Sequence, residues 1–185
     1  MNVHGKLIFK QLTLDHVPAV EKLCEECVEL GYVNNSSLTS MKFFSATFFG
    51  AFDQDRLVSV AGVHQLPEIN EYAWRCLFRG VQLPGYTPEW SMDIFKSSIH
   101  FSQLLYRQIQ YVSSIASNPE FFISTNLSTN TGAKSSRMND VIMPRIVKRG
   151  MCDLYLKNFE LYNTPQNLWK VNVDTYIKYR SQYLE

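Results

Sequence analysis

Between residues 47 and 63 the chain reads Thr-Phe-Phe-Gly-Ala-Phe, then Asp53-Gln54-Asp55-Arg56, then Leu-Val-Ser-Val-Ala-Gly-Val. Two apolar runs of strand length flanking a short polar turn specify a β-hairpin. The second run carries small residues at Ala61 and Gly62, where another group can approach the backbone closely. What precedes the hairpin narrows the fold further. Residues 6–12 (Lys-Leu-Ile-Phe-Lys-Gln-Leu) read as a strand, and residues 13–30 as an amphipathic helix. Thr13 is its expected N-cap, and Asp15 sits where a negative charge suits the helix dipole. Val20, Leu23, Cys24, Cys27 and Val28 recur at helical spacing as its buried stripe, and Gly31 supplies the stop.

After the hairpin, residues 65–70 form a break and residues 72–83, rich in aromatic and β-branched side chains, a third long strand. A turn-rich loop begins at Pro84. Residues 97–116 read as a long helix with Phe101, Leu104, Leu105, Ile109 and Val112 on one face. Residues 121–124 are a short buried strand, and residues 128–132 a polar loop. A helix is expected over 134–149, kinked or divided by Pro144 and ended by Gly150. Cys152, Leu154, Leu156, Phe159 and Leu161 alternate well enough for a strand over 151–162, and residues 173–184 close the chain as a strand or helix. Residues 34–37 are a loop, and 38–44 a short helix or an irregular lid. With no repeat and no low-complexity segment, residues 1–185 read as one domain.

Composition removes several function classes. A hydrophobic fraction of 45% with 14% aromatics argues for a packed core and against disorder. A net charge of +1 gives no electrostatic case for nucleic acid or an anionic membrane as the main partner. The local group Lys134, Arg137, Arg145, Lys148 and Arg149 keeps nucleic acid open as a partner, against the reading of a solvated helix face. No apolar run approaches the roughly 20 residues that span a bilayer, and the first residues lack the pattern of a signal peptide, so a cytoplasmic location with reduced cysteines is expected. Cys24-Glu25-Glu26-Cys27 has the spacing of a metal half-site, but the cysteines fall on the apolar face of the helix and read as core, so no metal is expected.

Strand, helix, hairpin with a small-residue second strand, strand, helix, strand, helix, strand: this order resembles the GNAT family, the Gcn5-related N-acyltransferases, over residues 6 to about 162. The resemblance implies an α/β (α+β) fold with a mixed central sheet flanked by helices. It implies acyl transfer from acetyl-CoA or another acyl-CoA to an amine on a small molecule or a protein. In that family the strand after the hairpin leads into a glycine-rich Q/R-x-x-G-x-G/A loop that holds the coenzyme diphosphate. No G-x-G occurs here, so the implied phosphate site falls to Ser97 and Ser98 at the start of the long helix, which also read as ordinary caps. The strand that pairs with the pantetheine arm corresponds to Phe78, Arg79, Gly80 and Val81, with Leu77 before them. The neighbouring strand is followed by Asn126 and Asn130, candidates for a coenzyme contact or simple turn residues.

An acyl transfer of this kind needs a base for the amine and often an acid for the thiolate. Glu68, Glu71 and His64 are the candidate bases; each also reads as an ordinary surface side chain. The family's acid is a tyrosine four residues before a Gly-Phe pair. The pair here is Gly150-Met151, which puts Ile146 at that position and leaves Tyr86 or Tyr155 as candidate phenols. The missing loop and tyrosine open an alternative, a catalytically inactive binding module. A further alternative is a nucleobase- or nucleic-acid-modifying relative, in line with a similarity to divergent GNAT-like proteins of phages. The aromatic loop with Tyr86, Trp90 and Phe95 reads as a substrate wall or a homodimer contact.

Overall fold

The computed structural model describes residues 7–30, 45–83, 99–127, 138–161 and 163–184. Seven strands are present among them: β1 (Ile8–Gln11), β2 (Thr47–Asp53), β3 (Arg56–Gln65), β4 (Ala73–Gln82), β5 (Glu120–Asn126), β6 (Cys152–Leu161) and β7 (Thr164–Val171). They form one mixed sheet in the order β1-β2-β3-β4-β5-β7-β6. Only β4 and β5 run parallel; every other neighbouring pair is antiparallel. The helices are α1 (Val17–Glu29), α2 (Leu105–Ile115), α3 (Met143–Lys148) and α4 (Val173–Leu184). This is the mixed central sheet flanked by helices that the sequence implies.

The hairpin closes through Gln54 and Asp55, with Asp53 opposite Arg56. Gln54 takes the left-handed conformation (φ 54°), which turns the chain within two residues. Thr13 and His16 cap the first helical turn, Leu14–His16, through an Nδ1 that accepts the Thr13 N–H at 2.9 Å. Pro18 then falls in the first turn of α1, where a missing N–H costs nothing. The expected stripe is present: Val20, Leu23, Cys24 and Cys27 are buried and Val28 is half-buried. They pack on Phe48, Val58 and Val60 of the sheet, a cluster in which each fully buried side chain contributes roughly 1.5–3 kcal/mol. The opposite face holds a second cluster, with Ala61, Val63, Cys76, Phe121, Ile123 and Trp169 under α2 and α3.

Three expectations change. Residues 164–171, unassigned in the sequence reading, form β7, which enters the sheet between β5 and β6. Pro165 is tolerated because it lies at the start of the strand, opposite Glu160. The strand over 151–162 is β6, but its burial does not alternate: as the edge strand it leaves Leu154, Tyr155 and Leu156 exposed. Its ladder with β7 is irregular there, and Asn158 has φ 52°. The closing segment resolves as helix α4. Among the described residues a π-helical turn runs into each of the helices that follow β4 and β5, His100–Leu104 into α2 and Met138–Ile142 into α3. Pro144 sits in the first turn of α3, where the described helical segment divides into the π-turn Met138–Ile142 and α3, in line with the division expected at this residue.

α4 packs across the π-turn that precedes α2. The Tyr176 hydroxyl donates to the Phe101 carbonyl, and Arg180 Nε donates to the Ser102 carbonyl at 2.9 Å. The Arg180 guanidinium also lies 3.7 Å from the centroid of the Tyr106 ring. Burial pushes the Tyr176 phenol well above its ordinary range, so it remains a donor at all ordinary pH values.

Candidate functional site

The site follows from the one parallel pair in the sheet. Its ladder matches Ala73 with Glu120, Trp74 with Phe121, Arg75 with Phe122 and Cys76 with Ile123, and stops there. Both strands continue, β4 to Gln82 and β5 to Asn126. Beyond the last pair, β4 is bonded only to β3, and β5 only to β7, among the described residues. The two strands therefore part after Cys76 and Ile123.

The register of β3 with β4 gives the reason. From Val60 to Gly62 the partner moves from Val81 to Phe78, and from Gly62 to His64 it moves from Phe78 to Arg75. Each step of two residues on β3 is matched by three on β4, so β4 carries an extra residue in each. Such bulges bend a strand and increase its twist, and they concentrate next to active sites. Here they bend β4 where it leaves β5. The backbone of Phe78, Arg79, Gly80 and Val81, the residues expected to meet a pantetheine arm, lies in this parted stretch.

A line of polar side chains crosses the sheet at the point of parting. His64 on β3 stands opposite Arg75 on β4. Arg75, buried to 6% exposure, donates from Nε to the Ser124 hydroxyl (2.6 Å) and from a terminal nitrogen to Gln166 Oε1 (3.2 Å). Gln166 in turn donates to the Leu161 carbonyl at 3.0 Å. Leu66, Ala73, Phe122, Leu161 and Leu168 enclose this line as an apolar patch. His64 Nδ1 is 2.7 Å from the Gln65 carbonyl, which can only accept, so Nδ1 carries the proton and Nε2 the lone pair of the neutral ring. Burial first, and the Arg75 guanidinium second, lower the His64 pKa to about 4.

A second network holds the end of β5. Thr125 donates to Asn139 Oδ1 at 2.6 Å and accepts from the Trp169 indole at 2.8 Å. Asn139 Nδ2 donates to the Asn126 carbonyl at 2.9 Å, and Asn167 donates to Asn139 Oδ1 at 3.2 Å.

The candidates read from sequence separate on this framework. His64 is level with the end of the ladder. Glu68 and Glu71 are exposed in the turn before β4, at the opposite end of that strand from the parted stretch. Asn126 ends β5 at the parting. Ser97, Ser98, Asn130 and Tyr86 lie outside the described residues. Tyr155 stands on β6 with its ring edge-on to Phe122, 5.1 Å between centroids. Ile146, at the position of the family's acidic tyrosine, is fully buried in the core. Cys24 and Cys27 are in the α1 core, and burial pushes the thiols of Cys76 and Cys152 upward, the second to about 12. No group of three or more His, Cys, Asp or Glu side chains suited to a metal occurs among the described residues, and no described helix is long and apolar enough to cross a membrane. The sequence reading missed Arg75, Thr125, Gln166 and Asn139. Arg75 alone had a signal, a charge set between the apolar Trp74 and Cys76 near the start of the strand.

No protein-family model and no curated protein matches the sequence. Solved structures match across nearly the whole chain. The loading GNATL domain of CurA from Lyngbya majuscula is 11% identical with a TM-score of 0.59, over 92% of this chain and 99% of that one. An N-acetyltransferase from Staphylococcus aureus is 18% identical with a TM-score of 0.54, over 90% and 96%. FeeM, an N-acyl amino acid synthase from uncultured soil microbes, is 14% identical with a TM-score of 0.54, over 97% of both chains. These likenesses establish the fold.

Proposed function

We propose that this chain, which has the GNAT fold, is an acyl-CoA-dependent N-acyltransferase acting by direct attack. One observation carries the reading: β4 and β5 separate after Cys76 and Ile123 while both continue as strands, with β4 bulged at that point. The parted edge of β4 offers main-chain groups to the amide-bearing arm of an acyl-CoA, as a strand offers them to a peptide. The amine nitrogen attacks the thioester carbonyl carbon, a C–N bond forms, the C–S bond breaks, and coenzyme A leaves as the thiolate. A main-chain N–H of β4 polarises the carbonyl, and alignment of the two reactants supplies much of the acceleration. His64 is our candidate for the base that receives the amine proton, because it is neutral and level with the parting. Acetyl-CoA is the simplest donor, and a small-molecule or protein amine the acceptor. The names of the structural neighbours, which include acetyltransferases and an N-acyl amino acid synthase, support acyl transfer in general.

Thermal unfolding with acetyl-CoA, longer acyl-CoA thioesters and free coenzyme A tests the binding step. A thioester at a hundredfold excess over its Kd stabilises the native state by about 2.7 kcal/mol and raises the midpoint accordingly. A midpoint unmoved by all of them rejects the reading. Release of free thiol with a panel of amines then tests chemistry. Binding without release favours the second reading, an inactive GNAT-fold binding module. That alternative has its own observation, the core isoleucine Ile146 where the family's acid stands.

A further inference from the structure

Where α4 crosses the start of α2, two arginines from different elements converge on one neutral acceptor. Gln103, in the π-turn before α2, receives Arg107 Nη1 at 3.3 Å and Arg180 Nη2 at 3.4 Å on the same Oε1 atom. Both guanidinium groups are held in place by their surroundings. Arg107 lies over the Phe9 ring of β1, 4.7 Å from its centroid, and Arg180 lies over Tyr106 while its Nε holds the Ser102 carbonyl. Gln103, Tyr106, Arg107 and Arg180 are all half-buried, so the pair keeps partial access to solvent. Among the described residues, neither arginine has a carboxylate within 4.0 Å. Burial first, and the Arg180 charge second, lower the Arg107 pKa from the ordinary arginine value. Two permanent cations thus share one amide oxygen, at distances longer than the roughly 2.7–2.9 Å of a good charge-assisted bond.

We propose that Arg107, Arg180 and Gln103 form a binding site for a phosphate monoester, separate from the β4/β5 cleft. Charge selects the ligand. A phosphate monoester carries about −1.5 to −2 at neutral pH, which matches the two guanidinium charges, whereas a carboxylate leaves one of them uncompensated. Its three terminal oxygens suit three donors: one from each guanidinium, and the Gln103 Nε2 when the amide rotates. The stacked rings and the Ser102 carbonyl fix the guanidinium groups in advance, so little ordering is left for the ligand to impose. Position separates this site from the cleft. Arg107 rests on β1, and three strand spacings, roughly 14 Å, lie between β1 and β4. A phosphate held here bridges α4 to α2 and stabilises the folded chain. The inference stands independently of the acyl-transfer reading.

The test titrates the full chain with inorganic phosphate and, separately, with acetate, at an ionic strength held constant with sodium chloride. The Nε–H signals of Arg107 and Arg180 are followed by NMR. Both should shift and saturate with phosphate, and acetate should bind at least about tenfold more weakly. Arg107→Gln should weaken phosphate binding roughly tenfold, the worth of one charge-assisted hydrogen bond. Lys178→Gln, which removes an exposed charge from the same helix α4, should keep the wild-type affinity. Saturating acetyl-CoA should leave the phosphate affinity unchanged. Arginine signals unmoved by phosphate, equal affinity for acetate, or wild-type affinity in R107Q overturns the inference, as does a loss in K178Q as large as in R107Q. Displacement of phosphate by acetyl-CoA overturns the separateness of the site and with it the proposal. The wild-type titration needs no variant and stands even where R107Q does not fold. A chain that binds phosphate here but no acyl-CoA loses the acyl-transfer reading and keeps this site.

Discussion

The two halves of the sheet are assembled on different physical terms. From β1 to β4, strands adjacent in sequence are adjacent in space, and α1 covers them through side chains such as Leu12, Val20, Phe48, Val58 and Val60. From β5 onward, chain order and spatial order disagree, and buried polar bonds join distant positions: Arg75 to Gln166, and Trp169 to Thr125. Apolar packing is forgiving in direction, whereas a hydrogen bond in a low-dielectric interior is costly to leave unmade. The first half therefore tolerates a change of side-chain shape better than the second tolerates the loss of a polar partner. The candidate cleft lies on the seam between them.

Three experiments probe that contrast. The largest effect is expected at the seam. The His64 pKa of about 4 in the folded chain lies below its unfolded value of 6.5, so the unfolded state takes up the proton first. The stability held by the neutral ring is complete above pH 6.5 and drains away as pH falls toward 4, by about 3 kcal/mol in all. Urea titrations across that window should show His64→Gln losing less stability than wild type; parallel curves would remove His64 from the seam's electrostatics. Next comes the apolar half. A methyl group at Gly62 would sit 2.7 Å from one Phe48 ring carbon and 2.8 Å from another. Gly62→Ala should cost about 1–3 kcal/mol by overpacking, with an unchanged denaturant slope. An unperturbed midpoint would mean that the Phe48 ring yields freely. The smallest effect belongs to the polar half's surface. Lys170 donates to Glu120 and lowers its pKa, yet both side chains are partly exposed. Lys170→Met should cost only about 0.2–1 kcal/mol, and the difference should fade at high salt. A larger, salt-independent loss would show that the pair belongs with the buried network.

The same contrast explains what the sequence made legible. The hairpin, α1 and β4 announce themselves because apolar periodicity and a polar turn are local signals. β7 hid because it opens with Thr164-Pro165-Gln166-Asn167 directly after Asn163, whose φ is 57°, a run of turn-favouring residues. Only Leu168, Trp169 and Val171 carried apolar alternation, and they were too few to read as a strand. The order of the elements through β6 and the α/β class were readable. Asn139, Thr125 and Gln166 were not, because their partners are 13 or more positions away on other elements, apart from the bond that Gln166 makes to Leu161. The parting of β4 from β5 was equally silent, since it arises from a register mismatch that no single strand's composition encodes.

The insertion of β7 between β5 and β6 bears on how the molecule is made. A chain emerging from the ribosome presents β5, then β6, before the strand that must lie between them has been synthesised. Until residues 164–171 appear, one edge of β5 has no neighbour, and the apolar Phe121, Phe122 and Ile123 stand beside an open row of main-chain groups. The N-terminal meander can form during synthesis, whereas the second half is completed only once β7 has been made. That interval is when a nascent chain of this topology most needs a chaperone, and a stalled translation product lacking β7 would be a substrate for aggregation or proteolysis.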